Sequence, residues 1–222
     1  MGTCAQKILV LLGPPGAGKG TQAARMALHY GVPAISTGAM FRDMAAHDTE
    51  IGRALKGYLE RGEYVPDEIV IKAVQARTGE PDCKDGFLLD GFPRTIPQAE
   101  TLEALLAERG QKLTGVLVFK APIEELVQRF SGRRVCPVDG STYHIASQLP
   151  LKPGVCDLCG TPLVRRPDDA PDVVQHRLEV YIEKTAPLRD YYRARGLLHR
   201  INAAPDPDTV FGQVVAVLDG LK

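Results

Sequence analysis

The sequence predicts an α/β fold, a parallel sheet with helices on both faces and two inserted segments. Three observations predict it. Short apolar runs end in glycine or aspartate, as strands buried on both faces do. Amphipathic stretches of helical length separate them. Two stretches, 36–65 and 133–169, break that alternation.

The first strand is "KILVLL" (7–12), stopped by Gly-Pro-Pro-Gly, and the first helix is "KGTQAARMALHY" (19–30), stopped at Gly31 and Pro33. Residues 36–65 carry helical patterns without a strand between them, the mark of an insert. "FLLD" (87–90), "GVLVFKA" (115–121) and "LLHRIN" (197–202) read as further buried strands. Helical patterns run over 97–109, 123–131 and 170–193, and a last helix covers 207–218. The segment 133–169 is rich in Gly, Pro and Cys and reads as a second insert.

With 222 residues and a 44% hydrophobic share, the chain is sized for one substantial core. Its 27 basic and 27 acidic residues cancel, so net charge points to neither nucleic acid nor a membrane surface. The apolar run 8–12 is far too short to span a bilayer and lacks a cleavage site, so the expected location is the cytoplasm. Of five cysteines, Cys4 and Cys83 stand alone, while Cys136, Cys156 and Cys159 are grouped. In a cytosolic chain such a group suggests a metal rather than disulfides.

The stretch "GPPGAGKGTQ" (13–22) fits G-x-x-x-x-G-K-[ST] except at its last position, where Gly20 stands and Thr21 follows one residue late. Gly13, Gly16 and Gly18 let the backbone curl its N–H groups inward. The following helix adds its positive end, and Lys19 reaches the outer phosphates of a nucleotide. A chance glycine-rich turn is the alternative, but a strand before and a helix after are the confirming context.

"LLDGFPRT" (88–95) ends a buried strand with Asp90, at the carboxyl edge where ligands sit in open α/β sheets. There Asp90 is suited to hold Mg²⁺ through its waters, and Arg94 follows in a constrained turn. The bland reading makes Asp90 a helix cap and Arg94 a surface charge. Arg42, Arg94, Arg129, Arg133, Arg134, Arg165, Arg166 and Arg177 gather near strand ends and insert borders. Guanidinium forks suit phosphate oxygens, and here the clustering is the signal. The five histidines are scattered, and no Ser-His-Asp or Cys-His pattern asks for a nucleophile. A phosphate acceptor with a second pKa of about 6 is already largely dianionic, so transfer to it needs positioning and charge neutralisation rather than a base.

"GPPGAGKGTQ", "STGAMFRD" (36–43), "DGFPRT" (90–95), "SGRRV" (131–135), "RRPDD" (165–169) and "TAPLRDYY" (185–192) together resemble the long-form, zinc-lid bacterial adenylate kinases, in their order and over nearly the whole chain. The resemblance implies a P-loop nucleoside monophosphate kinase fold with a five-stranded parallel sheet and two mobile inserts. It implies a core at 1–35, 66–128 and 170–222, an AMP-binding insert at 36–65 and a lid at 129–169. The reaction it implies is reversible transfer from Mg-ATP to AMP giving two ADP, with ATP, AMP and ADP as the partners; a clamp for two nucleotides needs no partner subunit, so a monomer is expected. In this family Gly-Thr is the usual end of the loop, which accounts for Gly20.

Carried over by position, Lys19, Arg94, Arg129, Arg133, Arg166 and Arg177 match phosphate-neutralising residues, and Asp90 the carboxylate that holds Mg²⁺ waters. Gly16, Gly18, Lys19, Gly20, Thr21 and Arg129 match the ATP site, Arg129 also the residue that stacks on adenine. Thr37, Arg42, Val65, Gly91, Arg94 and Gln98 match the AMP site. Asp168 and Asp169 match carboxylates that orient lid arginines, and Phe92-Pro93 a cis peptide bond. One position departs. Ala39 stands where the family usually has an aspartate that supports Mg²⁺-bound waters, so slower or more Mg²⁺-demanding catalysis is expected.

Cys136-x-x-Asp139 and Cys156-x-x-Cys159 lie sixteen residues apart. A carboxylate is an acceptable zinc ligand, so the set predicts structural Zn²⁺ in the lid, with His144 in reserve. The opposing reading is a metal-free lid with remnant cysteines. Two other functions compete: a UMP/CMP-type kinase, which usually has a short lid, and a zinc-ribbon nucleic-acid module with a regulatory P-loop. The second calls for a basic stripe with interleaved aromatics, and the segment 133–169 carries only Tyr143.

Overall fold

A computed structural model describes residues 6–221, so Cys4 lies outside the described residues. The chain runs β1 (Lys7–Leu12), α1 (Lys19–Tyr30), β2 (Ala34–Ser36), α2 (Thr37–Ala46), α3 (Glu50–Arg61), α4 (Asp67–Thr78), β3 (Gly86–Asp90), α5 (Ile96–Glu108), β4 (Gly115–Lys120) and α6 (Ile123–Gly132). The second insert contributes β5 (Arg133–Val135) and β6 (Thr142–His144). The chain then closes with α7 (Pro171–Val180), a π turn (Tyr181–Thr185), α8 (Leu188–Ala194), β7 (Leu198–Asn202) and α9 (Pro207–Asp219).

Five strands form one parallel sheet in the order β2-β3-β1-β4-β7. Alternate side chains of each central strand enter opposite core layers, as the two-residue strand period requires. Ile8, Val10 and Leu12 join Phe87, Leu89, Val116 and Val118 on one face, under α2–α5 and α8. Leu9 and Leu11 join Leu88, Leu117 and Phe119 on the other, under α1, α6, α7 and α9. Burial on both faces is why these strands read as unbroken apolar runs.

The topology places the site. From β1 the chain passes through α1 to β2 on one side, and from β3 through α5 to β4 on the other. The connections part at the carboxyl end of β1, which opens a crevice there. Leu11 pairs with Asp90, and Asp90 with Ser36, so the Gly13–Gly18 loop, Asp90 and the start of α2 meet at one edge.

The fold class stands as expected, with three added features (β2, α4 and the β5–β6 pair) and one divided helix. β2 has only three residues, too few for a periodic signal, although the family resemblance implies five strands. Helix α4 is amphipathic too weakly for its pattern to stand out. The helix expected over 170–193 is divided. Pro187 has no N–H to continue the ladder and its ring crowds the carbonyl four residues back. The bond from Ala186 N–H to Tyr181 O, at 2.9 Å, instead closes a wider turn. The second insert holds an antiparallel pair, β5 with β6. The Phe92-Pro93 bond is cis. Among the described residues, no helix is long and apolar enough to cross a membrane.

Candidate functional site

A cavity of about 680 Å³ opens at the carboxyl edge of the sheet. It runs from the glycine loop past Asp90 and Arg94 to the lid strand β6 and the segment Ala203–Pro207. Its volume lies within the range of small-molecule sites.

The loop's conformation needs its glycines. Gly16 has φ +81°, and a Cβ there would lie 2.9 Å from the ring of Phe130. Gly18, left-handed at φ 80°, is the N-cap of α1, so the free N–H groups of the first turn face the loop. Lys19, the first residue of α1, curls back over the loop. Its ammonium donates to Gly13 O (2.8 Å) and Pro14 O (3.0 Å). Gly20 and Thr21 line the cavity beside it. A Cβ on Gly20 would lie 3.6 Å from Asp90 Oδ2, so the carboxylate faces the loop.

Desolvation pulls the Lys19 pKa down to about 8. Asp90 opposes that shift, and the charges of Arg94, Arg177 and Arg133 add to it. Arg166 is drawn down to about 10, by burial first and then by Arg42 and Arg133. Arg42 and Arg177 are lowered for the same reason, burial first, with Asp168 countering. The cations therefore repel one another across the cavity, the electrostatic state that a polyanion relieves.

Two carboxylates hold the lid-side arginines. Asp169, 1% exposed, takes both the Nε (2.8 Å) and an Nη of Arg133 in a forked pair. Asp168 accepts from Arg177 at 2.7 Å. The Phe130 ring underlies both, 4.8 Å from Arg133 and 5.6 Å from Arg177. Arg129 is fastened by donation to Ala203 O (2.7 Å) and Ala204 O (3.0 Å). Arg94 sits over the Tyr64 ring at 4.6 Å and donates from Nε to Gly91 O at 2.8 Å.

Of the residues singled out by sequence, Gly16, Gly18, Lys19, Gly20, Thr21, Arg42, Asp90, Gly91, Arg94, Arg129, Arg133, Arg166 and Arg177 all line the cavity. Thr37, Val65 and Gln98 are buried just behind its wall. Thr37 donates to Gly91 O at 3.0 Å. Gln98 is engaged at both ends, accepting from Arg94 N–H (2.8 Å) and donating to Asp67 (2.6 Å). Arg134 and Arg165, counted in the arginine cluster, bind backbone carbonyls and lie off the cavity wall. Sequence reasoning missed Phe130, Tyr64 and Thr185, whose places depend on partners far along the chain.

In the lid, one donor atom from each of Cys136, Asp139, Cys156 and Cys159 lies within 4.8 Å of the others. Cys136 and Cys159 sulfurs are 3.3 Å apart, and Cys156 Sγ is 3.0 Å from Asp139 Oδ2. Three thiols and a carboxylate converging on one point fit a tetrahedral zinc set, and could bind such an ion. His144 is outside the group. Its Nδ1 accepts from Ala146 N–H (3.1 Å) and Ser147 N–H (3.2 Å), which commits the ring to a turn.

The model of one protein family, described as adenylate kinase, matches residues 11–197. An adenylate kinase of Carboxydothermus hydrogenoformans is 50% identical over 206 residues, 93% of this chain and 96% of its own length. One from Acidothermus cellulolyticus is 50% identical over 210 residues, covering 95% and 97%. One from the archaeon Archaeoglobus fulgidus is 45% identical over 214 residues, covering 96% and 99%.

Proposed function

The chain belongs to the adenylate kinase family, whose reaction is reversible phosphoryl transfer between ATP and AMP, and from that premise we propose how its own residues perform the reaction. The observation that carries the reading is the convergence of Lys19, Arg94, Arg133 and Arg177 on one cavity, close enough that each guanidinium depresses the lysine.

ATP lies along the loop. Its phosphates take the N–H groups around Gly16, Gly18 and Gly20, with Lys19 and Thr21 beside them, and its base lies by Arg129. AMP lies on the opposite side, its phosphate on Arg42 and Arg94. Thr37, Val65, Gly91 and Gln98 form the wall beneath it. Arg133, Arg166 and Arg177 take the charge of the phosphoryl group in flight. Mg²⁺ enters with ATP and offsets the charge of its phosphate oxygens, and Asp90 faces the place where its waters would lie. The acceptor is a phosphate already largely dianionic at neutral pH, with a second pKa of about 6. No proton has to be removed before it attacks. Orientation and charge neutralisation supply the catalysis.

The insert 36–65 and the lid 129–169 close over the bound pair, exclude water and bring their arginines inward. Cys136, Asp139, Cys156 and Cys159 hold a structural Zn²⁺ that stabilises the lid. With four protein ligands, no position stays open for chemistry. Both nucleotides are clamped within one chain, so the monomer suffices.

Incubation with Mg-ATP and each of AMP, CMP, UMP and GMP, followed by diphosphate analysis, tests the reading. ADP formed from ATP with AMP, faster than diphosphate from the other acceptors, is expected. Arg133→Gln or Arg94→Gln at full rate in a folded protein would overturn the charge-neutralisation mechanism.

A further inference from the structure

The π turn at Tyr181–Thr185 interrupts an otherwise continuous helical segment, and π turns concentrate at functional sites. Thr185, at its end, is 5% exposed and lines the cavity. A threonine inside a helix ordinarily bonds back to a carbonyl of its own preceding turn. Thr185 instead makes two bonds to distant chain. Its hydroxyl donates to Arg94 O at 2.9 Å, and it lies 2.8 Å from the Tyr64 hydroxyl. A carbonyl can only accept, so the one Thr185 proton is committed to Arg94. Tyr64 must therefore donate to Thr185.

These bonds complete the fixing of Arg94. Its N–H is held by Gln98, its Nε by Gly91 O and its guanidinium plane by the Tyr64 ring, while its carbonyl is held by Thr185. The Tyr64 ring and hydroxyl thus act on the same arginine by two routes. Tyr64 follows α3 in the chain, and Thr185 shares its helical segment with Arg177.

We propose that Thr185 is a positioning residue for the acceptor side of the reaction. Its hydroxyl, presented by the π turn, locks the Arg94 backbone and the Tyr64 ring so that the guanidinium meets the AMP phosphate already oriented. The proposal rests on the AMP-site role of Arg94, and it predicts an effect selective for AMP over ATP.

The test is steady-state kinetics on the full chain with AMP and ATP varied separately. Thr185→Val keeps the volume and removes both bonds. It should raise KM for AMP roughly 5- to 30-fold and leave KM for ATP within about twofold. Thr185→Ser, which keeps the hydroxyl, should restore KM for AMP. Tyr64→Phe should shift KM for AMP in the same direction but less, and should add nothing to Thr185→Val, because both remove the same bond. Equal rises for both nucleotides, an unmoved KM for AMP, or a serine variant as impaired as the valine one would overturn the proposal. Should Thr185→Val fail to fold, Tyr64→Phe, which keeps the ring, and Thr185→Ser decide it by the same readout. The wild-type control separates the premises. If ATP and AMP yield ADP but Arg94→Gln leaves KM for AMP unchanged, the AMP-site assignment fails rather than the Thr185 inference alone.

Discussion

Lys19 is the residue whose charge is most finely balanced. Desolvated by burial, with Asp90 opposing the shift and three guanidiniums adding to it, it holds its proton only up to about pH 8. Bound polyphosphate adds negative charge beside it and raises that pKa. The sign follows. At pH 8.5 the free protein has largely lost this proton, so binding ATP must take one up. At pH 6.5 the proton is already present and this group contributes no uptake. Calorimetry of ATP binding in buffers of different ionisation enthalpy should show uptake at the higher pH that disappears in Lys19→Met. The same variant should lose roughly 10²–10³-fold in kcat, the cost of deleting one charge-stabilising donor. Gly91 makes a second, steric prediction. Its φ is +87°, and a Cβ would sit 2.7 Å from Thr37 Oγ1 and 3.1 Å from an Arg94 Nη. Gly91→Ala should therefore lower stability by about 1–2 kcal/mol for the left-handed backbone alone, and should raise KM for AMP by displacing Arg94. Thermal melts and initial rates measure the two effects.

At the scale of elements, what could be read in advance divides along local and non-local lines. The strand 7–12, the loop and helix α1 are specified by contiguous residues, and their limits were readable to the residue. The break in the helix at Tyr181–Thr185 is a local consequence of Pro187, but the use made of it depends on Arg94, ninety-one residues away. Phe130 shows the same limit. In sequence it is an apolar residue of an amphipathic helix, and only the approach of Arg133 and Arg177 makes it a platform for cations. The lid stands between these cases. Its cysteine spacing was visible, yet the turn role of His144 was not. The lid's own buried cluster is Cys136, Tyr143 and Cys156, with Leu163 against it. So small a core cannot order this segment by burial. A metal would then supply folding free energy directly. Purified protein should carry about one equivalent of zinc. Cys156→Ala should lose it and render the lid sensitive to protease, while the sheet and its helices stay folded. Asp139→Cys should retain zinc longer against a chelator, because thiolate is the softer ligand.

Over the whole molecule, the charges sum to zero while the cavity lining holds more cations than carboxylates: Lys19 and six arginines against Glu63, Asp90, Asp168 and Asp206. Lys19 comes from α1, Arg42 from α2, Arg94 from the turn after β3, Arg133 from β5 and Arg177 from α7. No single element holds enough charge to neutralise two nucleotides. The full set assembles only when the core, the insert and the lid come together. Closing before either nucleotide is bound would strip these cations of water and bring them together; burial first, and neighbouring arginines after it, already lower the pKa values of Lys19, Arg42 and Arg177. On the proposed mechanism, bound phosphates would offset that cost, so the pair of substrates would favour closure and suppress hydrolysis by water. The same attraction must be undone for products to leave. On the proposed mechanism, the phosphates of two ADP molecules would hold the arginines in place until the lid and insert reopen. Reopening is therefore expected to limit turnover. In rapid-quench experiments with saturating Mg-ATP and AMP, ADP should appear in a burst of up to one turnover per site before the slower steady rate. The burst should shrink in Arg133→Gln, where transfer itself slows and the lid's hold on phosphate weakens. A linear time course from the first milliseconds in the wild-type protein would instead make the phosphoryl step limiting, and the cage of arginines would then have to be judged by its effect on chemistry alone.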